Sequence, residues 1–325
     1  MFTRLEFKDF RGFAHLDLPG LQRVNLICGQ NNSGKTSLLE GIQCLCDLTR
    51  LRALADLSSL RPDPAGLADR KSKWWLRDGA GGAARLTGWA TSVKVRSLFL
   101  GSTSLGAPLP NGVQPTYQVG VLQLGVSTSE GPFVPIPCHI VSAHHLESRD
   151  VIALFDKAVS RRGGEERIES LLRLVDPRLR RVRARTPTGE PPFLEVDLGL
   201  SERIPLAHTG QGLIRLVAIF SLLLGEAPKV CVIDEIENGL HHTLLPQIWS
   251  GIAAAARELD VQVFATTHSR ECIEAAHEVF DPSPNYDFAV IQLFRSDADR
   301  DLPTQGRVLD QRLVRAAMSG SVDLR

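Results

Sequence analysis

The run Val24-Asn25-Leu26-Ile27-Cys28 passes directly into Gly29-Gln30-Asn31-Asn32-Ser33-Gly34-Lys35-Thr36, and a helical pattern opens at Ser37-Leu38-Leu39-Glu40-Gly41-Ile42. A buried strand that feeds a helix through a glycine-bounded loop is a unit of α/β folds and leaves few other architectures open. The glycines let main-chain N–H groups close around an anion, and the helix N-terminus adds partial positive charge. The spacing G-x-x-x-x-G-K-[ST] therefore reads as a phosphate-binding loop. Lys35 is expected to reach the β- and γ-phosphates of a nucleotide, and the Thr36 hydroxyl to ligate Mg²⁺.

A second apolar strand, Lys229-Val230-Cys231-Val232-Ile233, ends in Asp234-Glu235. Continuous apolar runs of this kind suit central parallel strands covered on both faces. Asp234, at the carboxyl end, is placed to hold the Mg²⁺ that Thr36 also touches, and Glu235 to polarise the water that attacks the γ-phosphate. A third strand, Val261-Gln262-Val263-Phe264-Ala265-Thr266-Thr267, ends in His268, where a γ-phosphate sensor is expected. Between the first and second strands, Thr209-Gly210-Gln211-Gly212 precedes a helical apolar run from Leu216 to Leu224 and describes a second anion cradle. Two cradles in one chain fit two nucleotides sandwiched between two copies, each offering its second cradle to the other's γ-phosphate.

These four motifs, in this order, resemble the ABC-type ATPase heads, and within them the branch that includes the SMC, RecF and OLD ATPases. The chain looks most like the small stand-alone AAA_15/AAA_21-type ATP-binding proteins. Phe7-Lys8-Asp9-Phe10-Arg11-Gly12-Phe13, Ser170 to Arg178, Ile233 to His241 and Phe264 to Ser269 carry the likeness. The resemblance implies ATP and Mg²⁺ as cofactors, Lys35, Glu235 and His268 as catalytic groups, and Thr36 and Asp234 as metal ligands. It places Arg11, Ser37, Thr209, Gly210 and Gly212 on the nucleotide, and Asn238 to His241 in a loop that crosses a dimer interface. The signature departs from the Ser-Gly-Gly form, although Thr209 keeps a hydroxyl, and no glutamine loop is legible where Ser142 to Glu147 would hold it.

The implied fold is an α/β P-loop NTPase of the ABC-ATPase head type, with a mixed or parallel central sheet, flanking helices and an antiparallel β-subdomain. One ATPase domain spanning 1–325 is expected. Residues 1–55 would hold an N-terminal hairpin (Phe2–Phe7 against Phe13–Leu18), the phosphate loop and a helix reaching about Leu54. Residues 56–140 change composition, with dense Gly, Pro, Ser and Thr and the strand-like pieces Val93–Leu100 and Tyr117–Leu124, and read as a β-rich insert. Residues 141–205 read as helical and basic, and 206–325 carry the signature, the acidic strand, the histidine strand and the C-terminal strands. Trp74-Trp75 reads as a packing anchor.

Charge balances overall, with 37 basic and 37 acidic residues, so the whole molecule carries no drive toward nucleic acid or membrane. One tract departs from this. Arg161 to Arg185 holds nine arginines against four acids and could contact a phosphate backbone, although a solvated helix and strand explains it equally simply. The six cysteines form no C-x-x-C pair, which speaks against zinc and fits a reducing cytoplasm. Met1 to Glu6 lacks the apolar core of a secretory leader, and no run approaches the roughly 20 apolar residues of a membrane span. Asp297-Ala298-Asp299 could share a metal as in a Toprim-type nuclease, but with 57 residues beyond His268 it reads as a charged hairpin loop.

The expectation is thus an ATPase that forms a homodimer on binding ATP and acts as a nucleotide switch. The resemblance adds a separately encoded effector, such as a nuclease, in phage defence or DNA maintenance. An ATP-binding subunit of a membrane transporter and a non-hydrolysing ATP-dependent scaffold are the alternatives.

Overall fold

The computed structural model describes residues 1–47, 84–90, 95–102, 115–119, 122–128, 134–142, 148–189, 191–295 and 303–320. Trp74-Trp75, the 143–147 segment and Asp297–Asp299 lie outside the described residues. The chain divides into two compact units, Met1–Cys138 with Phe288–Arg325, and His139–Asp287.

In the first unit, β1 (Phe2–Phe10) and β2 (Phe13–Pro19) pair antiparallel, with Phe10 opposite Phe13 across the Arg11-Gly12 turn. β3 (Val24–Cys28) is buried at every position and leads through the loop into α1 (Lys35–Cys46). The helix is shorter than its pattern predicts: Asp47 already has extended geometry (φ −146°), which ends it eight residues before Leu54. β4 (Ala84–Ala90), β5 (Val95–Ser102), β6 (Pro115–Val119) and β7 (Leu122–Thr128) join the hairpin in a six-stranded sheet of order β2-β1-β4-β5-β7-β6. Every described pairing in it is antiparallel. The piece Tyr117–Leu124, expected as one strand, is split between β6 and β7, which pair with each other.

The unit is closed by β14 (Phe288–Phe294), β15 (Gln305–Leu309) and α7 (Gln311–Met318). β14 runs parallel to β3 and antiparallel to β15, so the sheet that carries the phosphate loop is mixed. Val24, Leu26 and Ile27 are each fully buried, and burial of such side chains stabilises by roughly 1.5–3 kcal/mol apiece. Asn25 is buried among them because its amide donates to the Gln22 carbonyl (2.7 Å) and accepts from the Gln22 N–H (2.9 Å).

The second unit opens within β8 (Cys138–Val141), at His139, and continues with α2 (Ser148–Val159), α3 (Gly164–Val175), and the antiparallel sheet β9 (Arg181–Arg185), β10 (Phe193–Asp197) and β11 (Ile204–Pro205). A short 3-10 turn at Leu206–His208 leads into α4 (Gln211–Glu226). β12 (Val230–Ile233) and β13 (Gln262–Thr266) pair in parallel, in register from Val230 against Gln262 to Ile233 against Ala265. α5 (Leu245–Glu258) connects them, and α6 (Arg270–Phe280) follows β13. Both strands are buried at every position; β12 is apolar throughout, and β13 carries buried polar residues, Gln262 and Thr266, at its two ends.

Candidate functional site

The phosphate loop is built from backbone that side chains would obstruct. Gly29 has φ 144° and Gly34 φ 92°, and a β-carbon on Gly29 would lie 2.2 Å from the Leu293 carbonyl oxygen. Asn32 takes φ 63°, a left-handed geometry that asparagine tolerates better than most residues. Phe13 packs so closely on Gly34 that a β-carbon there would meet its ring at 2.9 Å. Phe13 clusters with Phe7 and Phe10, the Phe10 and Phe13 rings lying 5.7 and 6.1 Å from that of Phe7, so the N-terminal hairpin buttresses the loop.

The donor chemistry fits an anion. Lys35 Nζ is held over the loop, donating to the carbonyls of Gly29 (2.6 Å) and Gln30 (2.9 Å). Ser33 Oγ is buried with no hydrogen-bond partner among the described residues. The first turn of α1 receives no side-chain cap from Gly34, which leaves its N–H groups for a ligand. Arg11, expected near the phosphates, is buried against α1, with its Nη2 2.8 Å from Oε2 of the fully buried Glu40.

In the second unit Asp234, Glu235 and His268 come together. The Thr266 hydroxyl donates to Asp234 Oδ1 (2.6 Å) and accepts the Glu235 N–H (2.7 Å), while the Thr266 carbonyl accepts the Ile236 N–H (3.0 Å). Glu235 adopts φ 48°, a strained geometry for glutamate. His268 Nε2 lies 3.8 Å from Glu235 Oε1, and both side chains are well exposed, at 38 and 41%. Asp234, by contrast, is 8% exposed. The pair thus separates into a fixed, inward acid and an outward acid facing a histidine. Glu237 accepts the His268 N–H at 2.7 Å, and its second carboxylate oxygen is buried without a hydrogen-bond partner among the described residues.

Arg215, on α4, holds the same turn from behind. Its Nη1 donates to the Ser142 carbonyl (2.9 Å), and its Nη2 donates to the carbonyls of Glu235 (3.0 Å) and Asp234. Burial pushes its guanidinium pKa down, opposed by the carboxylates of Asp234, Glu235 and Glu237. The signature glycines prove different from one another. A β-carbon on Gly212 would meet the Gly239 carbonyl oxygen at 2.6 Å, whereas one on Gly210 would meet nothing within 4 Å. The Thr209 hydroxyl donates to the Leu206 carbonyl at 2.7 Å. A cavity of about 380 Å³, walled by Val175, Leu213, Leu240 and Leu244, opens beside these glycines and His241.

Sequence reasoning missed Arg215, Thr266, Glu237 and Glu40. Arg215 was detectable as a lone charge beside an apolar helical run, and Thr266 as a hydroxyl ending an apolar strand; the two glutamates carried no comparable signal. In the arginine tract, Arg167, Arg173, Arg178 and Arg185 pair with Glu258, Glu169, Asp176 and Glu195 respectively. Arg181, Arg183 and Arg185 alternate along β9, and all three are exposed.

The chain is similar to several known proteins. Residues 146–274 match the family model described as "AAA domain, putative AbiEii toxin, Type IV TA system", and residues 4–49 match a model described as "AAA domain". A protein of Helicobacter pylori named "ATP/GTP phosphatase" is 22% identical over 86% of this chain and 88% of its own. A DNA replication and repair protein RecF of Bacillus mycoides is 36% identical over 61 residues, which make up 19% of this chain and 16% of that protein. An Smc head domain from Pyrococcus furiosus, solved with the C-terminal domain of ScpA, has a TM-score of 0.59 at 11% identity, covering 98% of this chain and 99% of its own. The fold is that of the ABC-type ATPase heads. In sequence and fold the chain is similar to SMC/RecF-like P-loop ATPases. Among the described residues no helix is long and apolar enough to cross a membrane.

Proposed function

We propose that the protein binds ATP·Mg²⁺ and that two copies close around two nucleotides, hydrolysis then allowing them to part. The observation that carries this reading is the division of labour at the end of β12. Asp234 is buried and held by the Thr266 hydroxyl, while Glu235 is exposed and faces His268. Gly29 to Ser37 cradle the phosphates, with Lys35 on the β- and γ-phosphoryl oxygens. Thr36 and Asp234 would hold the Mg²⁺, which would supply positive charge against the developing negative charge on the phosphate oxygens. The Glu235 carboxylate would take the proton of the attacking water, and His268, 3.8 Å from Glu235, would act as the γ-phosphate sensor.

The sandwich is supported by Gly210. Its φ is −63° and a β-carbon there would meet nothing within 4 Å, so nothing among the described residues demands glycine there. Close approach from outside, by the partner copy's nucleotide with Thr209 and Gly212 beside it, gives a reason for it. Arg11 contributes near the phosphates through α1, which it grips at Glu40.

The switch would act on a separate effector, a nuclease in an OLD-like phage-defence system or in DNA maintenance. The RecF and AbiEii likenesses support this direction, and the Smc head bound to ScpA is a precedent for a head with a protein partner. Nucleic acid would meet the Arg161–Arg185 tract at Arg181, Arg183 and Arg185. A cytoplasmic location fits six free, buried cysteines.

The test is the solution mass of Glu235→Gln with ATP·Mg²⁺, beside wild type and Lys35→Ala. A dimer formed by Glu235→Gln only with ATP supports the reading. A monomer with ATP bound contradicts it.

A further inference from the structure

The residue that organises the acidic turn lies in the histidine-ended strand, where the motif assigns it no role. Thr266 ends β13 and is fully buried. Its one hydroxyl is used twice, as donor to Asp234 Oδ1 (2.6 Å) and as acceptor of the Glu235 N–H (2.7 Å). Its carbonyl takes the Ile236 N–H at 3.0 Å. Three consecutive residues are thus pinned by a single side chain and its own backbone. The direction of the hydroxyl proton follows from the partners: a main-chain N–H can only donate, so the proton must point at the carboxylate.

We propose that Thr266 is a positioning residue for ATP hydrolysis, fixing the rotamer of the metal-binding Asp234 and the left-handed backbone of Glu235 in one step. This rests on the ATPase reading above. A non-glycine residue at φ 48° persists only where its surroundings over-determine it, and at Glu235 those surroundings are the Thr266 hydroxyl on its N–H and Arg215 on its carbonyl. Without the hydroxyl, the Glu235 N–H would lose its acceptor in a part-buried turn, and Asp234 Oδ1 would lose the donor that orients it. The turn would then relax toward ordinary φ values, swinging the Glu235 side chain away from His268. Valine has nearly the shape of threonine and the same preference for a strand, so Thr266→Val removes the hydroxyl and little else. Serine keeps the hydroxyl and loses a methyl.

Three proteins, wild type, Thr266→Val and Thr266→Ser, are compared for steady-state ATP turnover and for amide hydrogen exchange in the peptide that contains Asp234 to Ile236. In Thr266→Val kcat falls roughly 30- to 100-fold, the range for loss of one organising hydrogen bond in a charged site, while KM stays within about threefold. Exchange at the turn quickens about tenfold, and exchange in the interior of β12 does not change. Thr266→Ser recovers most of both. The proposal is overturned if Thr266→Val keeps wild-type turnover, if its turn exchanges at the wild-type rate, or if serine fares no better than valine. A wild type without any turnover would sink the ATPase reading and this role with it. An active wild type matched by Thr266→Val would sink the role alone.

Discussion

The guanidinium of Arg215 donates to the main-chain carbonyl of Glu235 at 3.0 Å, from a side chain that is 6% exposed. Because it also serves the Ser142 and Asp234 carbonyls, replacing it with methionine strands three acceptors at once. Arg215→Met is expected to lower unfolding stability by roughly 2–4 kcal/mol. Lysine, a single point donor, should recover only part. Urea unfolding of both variants checks this, and wild-type stability in Arg215→Met would contradict it.

Gly212 and Gly210 are two residues apart and should respond differently to alanine. Gly212→Ala drives a β-carbon to 2.6 Å from the Gly239 oxygen, backbone that cannot swing aside, and should cost about 1–3 kcal/mol. Gly210→Ala has open space and an ordinary φ, so its melting temperature should match wild type to within a degree or two. Differential scanning fluorimetry of the two separates packing from any ligand role.

The buried pair Arg11–Glu40 predicts a strong asymmetry between single and double substitutions. Arg11→Met removes the guanidinium beside the buried Glu40 carboxylate and should cost roughly 3–5 kcal/mol. Adding Glu40→Gln to it should restore a large part of that loss. A double variant no more stable than Arg11→Met would show that the two side chains do not act on each other.

Acid should weaken the second unit through named carboxylates. The Lys157 hydrogen bond holds Glu226 below the usual carboxylate range, Arg178 does the same for Asp176, and Arg203 with Arg185 for Glu195. A pKa lower in the folded state means that stability is fully present above the unfolded value, about 4, and is lost as pH falls through the folded values. The basic partners are exposed to solvent, so each pair contributes less than about 1 kcal/mol. Unfolding free energy measured at pH 7 and pH 3.5 should fall less in Glu226→Gln than in wild type.

The parts that were legible are those whose chemistry shows in residue type at short range. β3, β12 and β13 are predominantly apolar runs, and the loop between β3 and α1 is written in its glycines and Lys35. What escaped depends on partners distant in the chain that carry no side-chain signature. Arg215 reads main-chain carbonyls 19 and 20 residues away, and Thr266 reaches Asp234 across 32 residues. Such bonds are invisible until the strands are laid side by side. Boundaries failed for local reasons. Asp47 turns extended where the apolar pattern continued, and the run from Tyr117 to Leu124 was read through Gly120-Val121 as one strand.

The central claim is hydrolysis of ATP at Glu235, supported by Lys35. Release of inorganic phosphate from ATP·Mg²⁺ should be measured for wild type, Lys35→Ala and Glu235→Gln, with ATP binding measured in parallel. The account predicts turnover by wild type alone, with Glu235→Gln still binding ATP and Lys35→Ala binding it weakly. Turnover by Glu235→Gln at the wild-type rate would contradict it.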